Sequence, residues 1–240
     1  MLDSSTSVGN DNYDKIKSFV IKFIQYANID NGDVRVGLLS FSTQVTVEFK
    51  LNSYSTKADM FDAVNAIPWR YGSTNTADGL QTMHEELFNE ANGDRPGVPN
   101  ICIIMNDGIS NINYQRTIPE ADEAKEKGIH IYAIGIALRD LKELNGIASE
   151  PASTNVFAVN NFDELKGLDE TIFAPMCPVT TTTARPLPTG YDVVLVLDSS
   201  VPQETFQFMK DYAKNLVNGF DVENDDYRVG LTRYSTDADV

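Results

Sequence analysis

The chain has little cysteine, little histidine and little positive charge, and each shortage narrows its chemistry. Two cysteines in 240 residues build no disulfide framework. Cys102 stands in the apolar run Ile101 to Met105, where a small buried thiol is expected; Cys177 stands beside a proline-rich stretch. Only His84 and His130 are available as imidazole bases, and neither has the setting of a serine triad, so catalysis is not expected. No apolar run approaches the ~20 residues that cross a bilayer, which argues against membrane insertion. Lys and Arg number 19 against 35 Asp and Glu, giving a net charge of −16. Repulsion of phosphates makes nucleic acid and anionic membrane poor partners for such a chain. The same acidity is compatible with a bound cation.

What is present is ample material for a core, with 42% hydrophobic and 10% aromatic residues. Tyr13, Ile16, Val20, Phe23, Ile24 and Ala27 recur at helical spacing. Val34 to Phe41 reads as a mostly apolar strand. Gln44 to Leu51 alternates strictly, as a half-exposed edge strand does. Helical patterns follow at Met60, Phe61, Val64 and Ile67, and at Leu80, Met83, Leu87 and Ala91. Ile101 to Met105 and Ile129 to Ile136 are continuous apolar runs, expected of strands buried on both faces. Pro119 to Lys127 suits a crossover helix between them. Leu141 to Ala148, Val156 to Val159 and Phe162 to Phe173 read as helix, strand and closing helix. Strands alternating with helices predict an α/β fold with a parallel, doubly wound sheet.

Pro178 to Gly190 is rich in Thr and Pro, lacks periodicity and reads as a semi-extended linker, with the composition of an O-glycosylated stalk. After it the sequence repeats. Asp198-Ser-Ser matches Asp3-Ser-Ser, and Arg228-Val-Gly-Leu-Thr-Arg-Tyr-Ser-Thr236 matches Arg35-Val-Gly-Leu-Leu-Ser-Phe-Ser-Thr43. The strand Asp192-Val-Val-Leu-Val-Leu197 has only Met1-Leu2 as its counterpart. The expected organisation is a first domain over 1–177 with its first strand cut short, a linker over 178–190, and the opening part of a second domain over 191–240.

Three separated pieces carry chemistry. Asp3, Ser5 and Ser7 form Asp-x-Ser-x-Ser after the first strand. Thr74 lies in the turn-rich segment Tyr71-Gly-Ser-Thr-Asn-Thr76, and Asp107 follows the strand Ile101 to Met105. In an open parallel sheet, ligands bind beyond the carboxyl ends of strands where the strand order reverses, and Asp3 and Asp107 occupy such ends. Two carboxylates and three hydroxyls are hard oxygen donors suited to Mg²⁺. Hydroxyls in place of further carboxylates leave the ion less neutralised than an all-carboxylate cage would, with room for an acidic group from outside. Asp3, Ser5 and Thr74 are also residue types that cap helices and turns. Gly72 belongs to no Gly-x-x-x-x-Gly-Lys phosphate loop. Trp69, after Pro68, reads as a partly buried packing residue.

These motifs resemble the von Willebrand factor type A family and its metal-ion-dependent adhesion site. The likeness runs from Met1 to about Cys177 and resumes from Tyr191 to Val240. Further support comes from Ile103-Ile-Met-Asn-Asp-Gly108, Ile131-Tyr-Ala-Ile-Gly-Ile136 and Ile147-Ala-Ser-Glu-Pro151. The resemblance implies a three-layer fold whose mostly parallel sheet has one antiparallel edge strand. It implies Asp3, Ser5, Ser7, Thr74 and Asp107 as ligands of Mg²⁺, or of Mn²⁺ or Ca²⁺. It also implies a secreted matrix or adhesion module that binds a protein such as collagen, not an enzyme. Two other readings are an intracellular or bacterial scaffold of the same fold, and an acidic matrix protein that makes no use of the metal site. In the second copy Asp198 and Ser200 are kept, but Pro202 stands at the third position and has no side-chain oxygen, so that site is degenerate.

Overall fold

In the computed structural model the described residues are 1–168, 191–198, 207, 210, 227–234 and 238–239. Two units separate, Met1–Pro178 and Val179–Val240. In the first, the strands are β1 (Leu2–Asp3), β2 (Leu38–Phe41), β3 (Val45–Phe49), β4 (Asn100–Asn106), β5 (Ile129–Ile136) and β6 (Val156–Val159). They form one sheet in the order β3-β2-β1-β4-β5-β6. Every pairing is parallel except β2 with β3, the antiparallel edge. The chain winds outward from β1 in one direction through β2 and β3. It then returns to β4 on the other side, so the order reverses between β1 and β4, where a doubly wound sheet opens a crevice.

The apolar runs follow from burial on two faces. Along β5, Ile134 and Ile136 enter one core with Tyr13, Ile16 and Ile24 of α1 (Asn10–Tyr26) and Met60 and Val64 of α2 (Lys57–Ala66). Ile129, Ile131 and Ala133 enter the other core with Leu80 of α3 (Thr76–Thr82), Ala121 and Ala124 of α4 (Tyr114–Glu126) and Leu144 and Ile147 of α5 (Lys142–Ile147). Alternate side chains thus go to opposite helical layers, and both layers are apolar. A short α6 (Ala152–Asn155) leads into β6.

Four expectations need correction. The strand predicted over Val34 to Phe41 is regular only from Leu38, because β1 supplies two residues and leaves Val34 to Gly37 without a partner on that side. The space beside them is a cavity of about 330 Å³ lined by Phe23, Val34, Val36, Leu87, Ile101 and Ile103. The helix predicted through Leu80, Met83, Leu87 and Ala91 breaks. After α3 comes a π turn, Met83–Leu87, then a 3-10 turn, Glu90–Asn92. The crossover helix predicted from Pro119 begins earlier, at Tyr114, and takes Pro119 into its body. Of the closing helix, Phe162–Gly167 is a 3-10 turn and the residues after 168 lie outside the described ones. Cys177 and the linker 178–190 lie outside them as well.

In the second unit β7 (Tyr191–Asp198) pairs along its whole length, in parallel, with β8 (Tyr227–Tyr234), which in turn pairs antiparallel with β9 (Ala238–Asp239). Asp198 faces Tyr234 in that ladder as Asp3 faces Phe41 in the first unit. The repeat read in the sequence therefore has the same strand register in both copies.

Candidate metal centre

Asp3 ends β1 and is wholly buried. Its Oδ1 accepts the backbone N–H of Ser5 at 2.8 Å, which folds the chain into a tight turn. Its Oδ2 has no hydrogen-bond partner. The Ser5 and Ser7 hydroxyls lie 2.9 Å apart, and Ser7 Oγ donates to Asp107 Oδ1 at 2.8 Å. Asp107 follows β4 and turns sharply with Gly108, whose N–H donates to Asn106 Oδ1 at 3.0 Å. A Cβ placed on Gly108 would stand 3.9 Å from both Ser7 Oγ and Thr74 Oγ1, so these two hydroxyls face the same point. Asp3, Ser5, Ser7, Thr74 and Asp107 are thus brought together at the crevice.

Thr74 is buried and its backbone is held on both sides. Its N–H donates to Asn111 Oδ1 at 3.0 Å, and its carbonyl accepts the N–H groups of Asn111 and Ile112 at 3.0 and 3.1 Å. The loop before it is laced to the serine loop. Trp69 Nε1 donates to the Ser5 carbonyl at 3.1 Å, Arg70 N–H to Ser4 Oγ at 2.8 Å, and Thr6 N–H to the Gly72 carbonyl at 2.9 Å. Gly72 has φ +111°, and a Cβ there would lie 2.5 Å from Thr43 Oγ1, so both conformation and space require glycine. Arg70 is turned away from the centre onto Glu48, with bonds of 2.8 and 2.9 Å, and leaves no cation among the donors.

Trp69 and Asn111 are the parts that sequence reasoning missed. Trp69 was expected only to pack, yet its N–H fixes the Ser5 carbonyl. Asn111 carries no motif, since its role depends on a backbone N–H that folding brings from 37 residues away.

The electrostatics call for a cation. Burial pushes the Asp3 carboxyl up from 3.8 to about 7, an effect opposed by the Ser5 N–H and reinforced by the charge of Asp107. Asp107 is also raised, chiefly by burial. Two facing carboxylates in a buried crevice, one with an unpartnered oxygen, form an anionic, all-oxygen donor set that suits a hard divalent ion. Among the described residues, His84 bonds to Glu120 and Lys127, His130 bonds to Asn155, and neither bonds to a serine of the cluster. In the second unit Asp198 ends β7, as Asp3 ends β1, while Ser200 and Pro202 lie outside the described residues.

Residues 1–171 and 192–240 match the von Willebrand factor type A domain. The collagen alpha-4(VI) chain of Mus musculus is 30% identical over 240 residues, which cover 98% of this chain and 10% of that one. Matrilin-4 of Homo sapiens is 35% identical over 181 residues, covering 74% of this chain and 29% of matrilin-4. Among solved structures, proximal thread matrix protein 1 from the mussel byssus, with a zinc-occupied MIDAS motif, superposes with a TM-score of 0.68 at 27% identity. The match covers 99% of this chain and 63% of that one. The chain therefore spans less than a third of these two sequence relatives and under two thirds of the solved one. By sequence match and by strand order, this chain belongs to the von Willebrand factor type A domain family.

Proposed function

We propose that the first unit is a matrix adhesion module that holds one Mg²⁺ or Mn²⁺ and through it grips an acidic side chain of a protein partner. Asp3, Ser5, Ser7, Thr74 and Asp107 hold the ion directly or through water. The observation that carries this reading is the unpartnered, buried Asp3 Oδ2 set among hydroxyls and a second carboxylate. Left alone, that oxygen costs on the order of 1–3 kcal/mol, more if charged. A divalent ion relieves it and offsets the repulsion between the carboxylates. Two negative charges balance the ion and leave no excess against an incoming carboxylate.

The relatives are collagen and matrilin chains and a byssal thread matrix protein, which favours a secreted matrix setting over an intracellular scaffold. The matrix relatives favour a binding role, and among the described residues both histidines are engaged away from the serine cluster. With Pro202 at its third position, the second copy contributes no ion site of this kind.

The test is solid-phase binding to collagens and other matrix proteins, with Mg²⁺ and with EDTA. Wild type should bind only with the ion, Thr74→Ala should weaken binding at least tenfold, and Glu126→Lys, an exposed charge on α4, should leave it unchanged. Binding that survives EDTA and Thr74→Ala but fails in Glu126→Lys would assign the interaction to the acidic surface instead.

A further inference from the structure

Helix α3 runs directly into a π turn. In the π turn Met83–Leu87 the N–H of Phe88 bonds to the Met83 carbonyl at 3.1 Å, and single π turns recur at functional sites. The turn carries His84, whose side chain is fully buried. Its Nε2 lies 3.0 Å from Glu120 Oε2 and its Nδ1 lies 2.8 Å from Lys127 Nζ. An ammonium only donates, so Nδ1 is the acceptor, and the ring proton sits on Nε2 and goes to Glu120. Arg116 holds the far oxygen of Glu120 at 2.5 Å. A carboxylate behind one ring nitrogen, fixing the tautomer and aiming the other lone pair outward, is the arrangement that orients metal-binding histidines.

The lone pair of Nδ1 already meets a cation. Lys127 Nζ bridges His84 Nδ1 and Glu123 Oε1, each at 2.8 Å. Glu85, next to His84 on the π turn, adds a second carboxylate. One ligand atom from each of His84, Glu85 and Glu123 lies within 4.8 Å of the others. Tetrahedral ligands ~2.0–2.2 Å from zinc stand about 3.3–3.6 Å apart. Glu85 and Glu123 are exposed and close the difference by rotating their side chains. An exposed Glu–Lys pair one helical turn apart contributes little to stability, and it needs no buried imidazole to form.

We propose that His84 Nδ1, Glu85 and Glu123 form a second, separate cation site, selective for Zn²⁺ over Mg²⁺, in which the Lys127 ammonium holds the place of the ion. Imidazole nitrogen gives the preference for zinc, whereas the all-oxygen centre at Asp3 suits magnesium. Zinc binding displaces Lys127 into solvent and leaves the Glu120 bond to Nε2 intact. A water completes the coordination on the open side.

The experiment is calorimetric titration of Zn²⁺ into the full chain carrying Asp107→Ala, which disables the oxygen centre, in millimolar Mg²⁺. One strong Zn²⁺ site is expected. Glu123→Gln should weaken it at least tenfold. Lys127→Ala should strengthen it about tenfold, because the competing cation is gone. Lys125→Ala, a lysine on the same helix paired with Asp122, should leave it unchanged. ¹⁵N spectra of the His84 ring should place the metal on Nδ1. The site is overturned if Lys127→Ala fails to strengthen binding, if Lys125→Ala strengthens it equally, or if Glu123→Gln has no effect. All three substitutions remove only exposed or half-exposed side chains, so the outcome does not depend on a buried variant that fails to fold. It is also independent of whether the Asp3 centre takes Mg²⁺.

Discussion

Ser7 Oγ donates to Asp107 Oδ1 across 2.8 Å and so ties two strand-end loops that lie 100 residues apart in the chain. The bond aims one Asp107 oxygen into the serine loop. Ser7 is exposed and packs against no core, so Ser7→Ala should leave unfolding within ~0.5 kcal/mol of wild type. Mg²⁺ affinity should nevertheless fall by about 10–100-fold, as losses of metal ligands and their supports do. Chemical unfolding and Mg²⁺ titration of the same variant check both halves.

The stability of the metal-free chain should fall as pH rises. Asp3 is held near 7 in the folded state and returns to 3.8 when unfolded, so the folded chain binds the extra proton between those values. Its stabilising contribution is complete below 3.8 and is lost as pH rises through about 7. In EDTA, the thermal midpoint followed by the single tryptophan, Trp69, should drop between pH 5 and pH 8. Mg²⁺ should restore it, and the rise on adding Mg²⁺ should be larger at pH 8. An equal Mg²⁺ effect at both pH values would remove Asp3 from the site.

The cavity beside Val34 to Gly37 should accept the strand that the second copy displays in full. Replacing Met1 with Tyr-Asp-Val-Val-Leu-Val, the sequence of Tyr191 to Val196, recreates β7 ahead of Asp3 in the register both copies share. Each apolar side chain buried contributes up to ~1.5–3 kcal/mol, against ~1–2 kcal/mol per residue for ordering the backbone. The melting temperature should rise by several degrees, and the amides of Val34 to Gly37 should gain protection from hydrogen exchange. An unchanged midpoint would mean that the cavity does not take a strand.

Most of the fold was legible because β5 and β6 carry apolar runs bounded by turns, and their predicted and observed limits agree at Ile129 to Ile136 and Val156 to Val159. The misreadings share one cause, namely that local pattern says nothing about partners. Val34 to Phe41 has the composition of a strand, but a strand needs a neighbour, and β1 offers two residues. Leu80, Met83, Leu87 and Ala91 keep helical spacing while the backbone loosens into a π turn around His84, whose Glu120 partner comes from another helix. The five oxygen donors were visible because they sit at strand ends and loop starts. Trp69 and Asn111 were not, because each acts through one long-range hydrogen bond to the backbone.

The most direct test is calorimetric titration of Mg²⁺ into the full chain and into Asp107→Ala. Wild type should bind one ion per chain, with none taken up by the copy that carries Pro202, and Asp107→Ala should bind at least tenfold more weakly. Equal heats for the two proteins, or two equivalent ions per chain, would contradict a single centre built from Asp3, Ser5, Ser7, Thr74 and Asp107.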